Sequence, residues 1–183
     1  MRRIEAAGST TLADGAVVYD FALNMAGHCE ITVSGPAGAE VALQYSERVA
    51  DNGDIDRENI AKFVKEGVFQ EDHYRLKGQG EESWSPRFTY HGFRYFEISG
   101  VPEAPPLEAV TGRVFNSAAP EVGSMEFSKP ILNEIVRLII WSQRGNLHGT
   151  PTDCPQRGER FGWMGDIQAF GQTAIFNMDM AAF

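Results

Sequence analysis

The sequence predicts a two-part fold, an antiparallel β-sandwich over residues 1–120 followed by helices over residues 121–183. Three observations carry this expectation. Up to about residue 118, apolar and polar residues alternate in short runs bounded by Gly and Pro turns, the pattern of half-buried antiparallel strands. Near residue 127 the apolar spacing lengthens to that of a helix. Hydrophobic residues make up 43 % of the 183-residue chain, enough to bury a core and unlike a disordered tail.

The elements follow in order. Val17 to Phe21 form a short apolar strand, and His28 to Val33 form another, with Cys29, Ile31 and Val33 on one face. After the turn SGPAGAE, Val41, Leu43 and Tyr45 alternate again. Phe69 to Leu76 and Phe88 to Ile98 continue the pattern, and Gly92 interrupts the second run as a bulge or tight bend would. Val110, Gly112 and Val114 give a last strand after the connector PEAPP. Several short strands with frequent turns make a sandwich. Residues 51–68 break the pattern and read as a loop with a short helix. Ser128 as N-cap with Pro130 in the first turn starts a helix that carries Ile131, Leu132, Ile135, Leu138 and Ile139, and Gly145 and Asn146 stop it. A second helix begins near Asp166, whose charge suits the helix dipole, and runs through Ile167, Phe170, Ala174 and Phe176.

Composition excludes several classes. With 16 basic and 25 acidic residues, the net charge of −9 repels a phosphate backbone, so nucleic acid is not an expected partner. No apolar run approaches the roughly 20 residues of a membrane helix. Met1-Arg2-Arg3 is followed by a polar stretch rather than a signal peptide, so a cytoplasmic location is expected. Cys29 and Cys154 read as two reduced thiols. The histidines His28, His73, His91 and His148 are scattered, and no metal site and no cofactor are expected. Oligomeric state is not readable.

One segment concentrates chemistry. Between the two helices, the stretch from Asp153 to Asp166 holds Asp153, Arg157, Glu159, Arg160, Trp163 and Asp166, with Pro151, Pro155, Gly158, Gly162 and Gly165 shaping the backbone. A sugar site needs a carboxylic acid to protonate the glycosidic oxygen, further carboxylates for hydroxyls, and an aromatic face for the ring. A carboxyl among carboxylates holds its proton to higher pH, which suits an acid catalyst. A solvated helix–helix connection with surface ion pairs has the same composition, so composition does not separate the two. Elsewhere the plainer readings apply. Tyr90, Phe93 and Tyr95 read as sandwich core. Cys154, followed by Pro155 and without a neighbouring His, reads as a packed thiol. His148 reads as a cation at a helix C-terminus.

The run DCPQRGERFGWMGD resembles the signature of glycoside hydrolase family 78, the bacterial α-L-rhamnosidases, usually DCPQRDERLGWTGD. Eleven of 14 positions agree, and the departures are Gly158, Phe161 and Met164. YDFALNMAGHCEITVSGPAGAEV resembles the family's DFGQNMAGW segment, with Ala22, Leu23 and His28 departing. RFTYHGFRYFEI, FSKPILNEI, WSQRGN and DIQAFGQTAIFNMD extend the similarity over nearly the whole chain.

The resemblance implies an antiparallel β-sandwich followed by the first helices of an (α/α)6 barrel, with residues 121–183 as the truncated N-terminal part of that barrel. It implies inverting hydrolysis of terminal α-L-rhamnosyl residues from glycosides. It makes Glu159 the general acid, and places Asp153, Arg157, Trp163 and Asp166 around the rhamnose. The general base is a distant glutamate further along the barrel, so these 183 residues alone are expected to be inactive. Gly158 adds backbone freedom beside the acid. Two alternatives stand beside this reading. One is a non-catalytic carbohydrate-binding or structural sandwich module, which predicts indifference to Glu159. The other is a different inverting glycosidase on the same barrel.

Overall fold

Val41, Leu43 and Tyr45 share one face of a strand because successive side chains point to opposite sides, and all three are fully buried. In the computed structural model, which describes residues 2–61 and 69–183, they belong to an antiparallel sheet with eight strands. The strands and short helix of the N-terminal region are β1 (Arg2–Glu5), β2 (Gly8–Thr11), β3 (Val17–Val33), β4 (Glu40–Ser46), β5 (Arg48–Val49), β6 (Ile55–Asp56), α1 (Glu58–Ala61), β7 (Glu71–Arg75), β8 (Glu82–Trp84), β9 (His91–Ser99) and β10 (Val110–Val114). The C-terminal region has α2 (Pro130–Gly145), a hairpin of β11 (Leu147–His148) and β12 (Thr150–Pro151), and α3 (Met164–Asn177). The chain divides into two compact units, residues 1–115 with 156–158, and residues 116–155 with 159–183.

In the first unit the large sheet runs β1-β10-β3-β9-β4-β7, with β2 and β8 also paired to β3. The two separate strands expected at 17–21 and 28–33 are one 17-residue strand. Its first part pairs with β2 and β9, and its later part with β9, β10 and β8. This joins all eight strands into one hydrogen-bonded network. The register on β9 slips between Asp20 and Met25, which face Tyr95 and Phe93. Ala22 sits in this bulge at φ +52°. The Asp20 carboxylate holds the bulge: it accepts Ala22 N–H at 2.7 Å and both Arg94 Nε–H and Nη2–H at 2.8 Å. The bulge therefore lies on β3 and not at Gly92, whose pairing with Ala26 is regular.

Tyr19, Ile31, Leu43, Tyr45, Phe93, Phe96 and Ile98 fill the core. Rings pack edge to face, with Phe93 4.9 Å from Tyr45 and 5.7 Å from Phe21. Tyr19 Oη–H reaches the Pro105 carbonyl at 2.5 Å, and burial pushes its pKa up to about 12. Of the aromatics expected in the core, Phe93 is there, while Tyr90 and Tyr95 are half-buried. Phe88 lies outside β9, fully exposed at φ +62°. The expected short helix in 51–68 is α1, and residues 62–68 lie outside the described residues.

In the second unit Lys129, not Ser128, occupies the N-cap of α2, with Pro130 following and no side-chain cap bond. Asn133 does the ordering instead, because its amide accepts Phe127 N–H at 2.8 Å and donates to Phe127 O at 2.9 Å. Buried Gln143 ties α2 to α3: its Nε2–H donates to Ala174 O at 3.1 Å, and its Oε1 accepts from Asn177 Nδ2–H at 3.0 Å. Ile131, Leu132, Ile135, Leu138, Ile139 and Phe176 are exposed, whereas Phe170 is half-buried. No helix among the described residues is long and apolar enough to cross a membrane.

Candidate active-site loop

The site loop is delivered by the end of α2. Asn146 caps the helix, and the β11–β12 hairpin turns at Gly149, φ +81°, whose N–H donates to Ser117 Oγ at 2.7 Å. His148 Nε2 lies 2.9 Å from the Gly145 carbonyl, at the expected helix C-terminus. Burial lowers its pKa from the ordinary value, the bond to the Gly145 carbonyl works against that shift, and Arg160 adds to it, so the surroundings disfavour the charge expected there.

Asp153 then closes the loop on itself. Its N–H donates to Phe161 O at 3.0 Å, and its Oδ1 accepts Phe161 N–H at 2.8 Å. The residues between are held as a closed excursion, within which 156–158 belong to the first unit. Arg160 adopts φ +49°, a conformation that costs a non-Gly residue free energy and clusters at functional sites. Trp163 is the N-cap of α3, and Asp166 lies in the helix's first turn, where its charge meets the positive end of the dipole.

These restraints bring part of the expected set together. Trp163 Nε1–H donates to Glu159 Oε1 at 2.8 Å, and Phe161 packs edge to face on the indole at 5.4 Å. A carboxylate oxygen of Asp153, Sγ of Cys154 and a carboxylate oxygen of Glu159 lie within 4.8 Å of one another. Among the described residues this is the one group with metal-ligand geometry, yet Asp153 and Glu159 already accept the Phe161 and Trp163 N–H bonds. Trp163 is 48 % exposed, and Asp166 is exposed as well. Arg157 is half-buried in the first unit.

A cavity of about 900 Å³ in the second unit counts Asp153 and Asp166 among its lining, with Asn146 and Thr152. Most of its wall is apolar, from Ile139, Ile167, Phe170, Ile175 and Met178, and neither Glu159 nor Trp163 lines it. Ile139, Ser142 and Gln143 of α2 face it on one side, and α3 supplies much of the rest.

Sequence reasoning passed over the Asp153–Phe161 clasp, Cys154 as a near neighbour of the carboxylates, and Gln143. The clasp had no signal in the sequence, since a main-chain partner can be any residue. Cys29 and Cys154 are both free and buried.

Comparison with known proteins identifies the family. The model of the bacterial alpha-L-rhamnosidase concanavalin-like domain matches residues 10–116, and that of the 6 hairpin glycosidase domain matches residues 120–183. An alpha-L-rhamnosidase of Streptomyces avermitilis is 44 % identical over 169 residues, which is 92 % of this chain and 16 % of the relative. The structure of alpha-L-rhamnosidase from Dictyoglumus thermophilum superposes with a TM-score of 0.92 at 39 % identity, covering 100 % of this chain and 20 % of that one. The Streptomyces avermitilis alpha-L-rhamnosidase complexed with L-rhamnose gives 0.90 at 41 % identity, covering 100 % and 17 %. The chain thus spans at most about one fifth of the length of these relatives.

Proposed function

The chain belongs to the bacterial α-L-rhamnosidases, and from that membership we propose that it supplies the acid side of an inverting α-L-rhamnosidase site. Glu159 protonates the departing glycosidic oxygen as the bond from that oxygen to the anomeric carbon breaks. A carboxylate base outside these 183 residues takes a proton from water, which attacks the opposite face of the sugar. The two carboxyl groups stand roughly 6.5–9.5 Å apart to admit that water. Asp153, Arg157, Trp163 and Asp166 hold the rhamnosyl ring, with the carboxylates and guanidinium meeting hydroxyls and the indole covering an apolar face. The relative solved with L-rhamnose supports a rhamnosyl glycoside as substrate.

The observation that carries this reading is the hydrogen bond from Trp163, at the N-cap of α3, to Glu159 within the clasped loop. It fixes a carboxyl beside a half-exposed aromatic ring, an arrangement that suits a group acting next to a sugar. A sandwich module that only bound sugar would gain nothing from it.

The test uses an intact enzyme containing these residues. It is assayed on aryl α-L-rhamnosides and on other aryl glycosides, with NMR following the anomer first released. Selective release of rhamnose with inversion supports the reading. Retention of configuration, or equal rates on unrelated sugars, contradicts it. The 183-residue chain alone is expected to release no rhamnose, because protonation without an activated water leaves half of the reaction undone.

A further inference from the structure

We infer that Gly92 and Gln70 are positioning residues for the general acid: they seat the Gln156–Gly158 stretch of its loop on strand β9. The inference rests on the assignment of Glu159 as that acid.

Gly92 is buried in β9, and its ladder to Ala26 is regular, so neither bulge nor turn explains a glycine there. What explains it is a close approach of backbone. A Cβ built on Gly92 would lie 2.7 Å from Gln156 Cβ and 2.8 Å from both Gln156 Cα and N. Real Cβ atoms essentially never come within 3.0 Å of such neighbours. Two of the three atoms are main chain, so no rotamer change of Gln156 relieves the clash.

The strand cannot retreat either. Gln70 is fully buried and grips both polar groups of Gly92: its Nε2–H donates to Gly92 O at 2.6 Å, and its Oε1 accepts Gly92 N–H at 3.1 Å. Gln70 is itself fixed, since its carbonyl accepts Tyr45 N–H at 3.0 Å. It sits at φ +60°, a left-handed conformation that a buried non-Gly residue keeps only when its surroundings over-determine it. On either side of Gly92, His91 stacks on Tyr45 at 4.0 Å and bonds Asp72 at 2.8 Å, while Phe93 is in the core. Within the first unit, Gln156 therefore rests on a stretch of β9 that is held on every side.

Glu159 follows the seated residues directly in the chain, and Phe161, two residues on, is held by Asp153. The backbone of the acid is thus restrained from both sides. The seat compensates for the freedom that Gly158 adds.

Hydrogen exchange on the 183-residue chain and kinetics on the intact enzyme test this together, with Gly92→Ala and Gln70→Met, a near-isosteric change that removes both amide bonds. Exchange in residues 154–162 should rise roughly tenfold while β3 keeps its protection. In the enzyme, turnover on rhamnosides with poor leaving groups should fall roughly 10- to 100-fold, with little change on activated aryl rhamnosides. Ile98→Ala, a core change remote from the loop in sequence, is the control for plain destabilisation. Unchanged exchange in 154–162 in both variants overturns the seat. A loss equal on all leaving groups, as in the Ile98→Ala control, overturns the positioning role. Glu159→Gln in the same substrate series separates the two readings. If it shows no leaving-group dependence, the acid assignment is wrong and the positioning role falls with it, whereas the exchange result still decides the seat. If it does show that dependence and the two variants do not, only the positioning role fails.

Discussion

Trp163 donates its indole N–H to Oε1 of Glu159 at 2.8 Å. The two residues are four apart in sequence, at the entry to α3, so the helix start and the proposed acid are tied together. Trp163→Phe keeps a ring but deletes the donor. In an intact enzyme it should lower kcat on poor leaving groups by about tenfold, the scale of one lost hydrogen bond of roughly 1 kcal/mol or more, and leave KM nearly unchanged. Trp163→Ala should raise KM as well, because the ring surface is gone. Steady-state kinetics of the two variants side by side check this. Equal effects would mean the indole N–H has no separate role.

Asp153 spends one oxygen on its own loop. Asp153→Asn retains an Oδ1 acceptor for Phe161 N–H, whereas Asp153→Ala leaves that N–H without it. The Ala variant should therefore loosen the loop, raising exchange at Phe161 by roughly the factor that 1–3 kcal/mol allows. The Asn variant should retain protection but lose sugar affinity. A KM unchanged in both would contradict the placement of Asp153 against the sugar.

Two imidazoles set an acid limit on stability. Burial is the leading reason that the pKa of His28 and of His148 lies below the ordinary 6.5. The unfolded chain therefore takes up these protons at higher pH than the folded chain does. Between the two values the unfolded state binds more protons, so stability rises with pH and is lost as pH falls from about 6.5. The Asp20 carboxylate, held below its usual range chiefly by Arg94, adds a second loss only further down, below about 3.8. His28→Asn should flatten the slope of unfolding midpoint against pH as pH falls below about 6.5. Urea unfolding across that range measures it.

Much of the sheet was legible because its signal is local. Val41, Leu43 and Tyr45 alternate in sequence and are buried in space, and Val110, Gly112 and Val114 do the same. The continuous β3 was not legible, since its bulge depends on Arg94, 74 residues from Asp20. Gly92 looked like a defect in alternation because the residue that needs the space, Gln156, lies 64 positions away. Ser128 looked like the better cap by chemistry, but Asn133 organises that turn from inside the helix. The candidate loop was found by its concentration of charge and by its resemblance to a signature. Its clasp was invisible, since half of it is backbone.

Gln143 offers a prediction in the second unit. Gln143→Leu fits the space but leaves Ala174 O and the Asn177 amide without their partner. It should cost about 1–3 kcal/mol in the stability of residues 116–155 and 159–183, seen as faster exchange in α3. Retained protection of α3 would show that apolar packing alone holds the two helices.

The most direct test of the account is Glu159→Gln in an intact α-L-rhamnosidase carrying these residues, assayed against aryl rhamnosides of graded leaving-group acidity. An amide keeps the shape and can still accept the Trp163 N–H, but it cannot deliver the catalytic proton. The account predicts a loss of roughly 10²- to 10⁴-fold on the poorest leaving groups, shrinking steadily as the leaving group becomes more acidic. A loss of the same size on every substrate, or no loss at all, would contradict it.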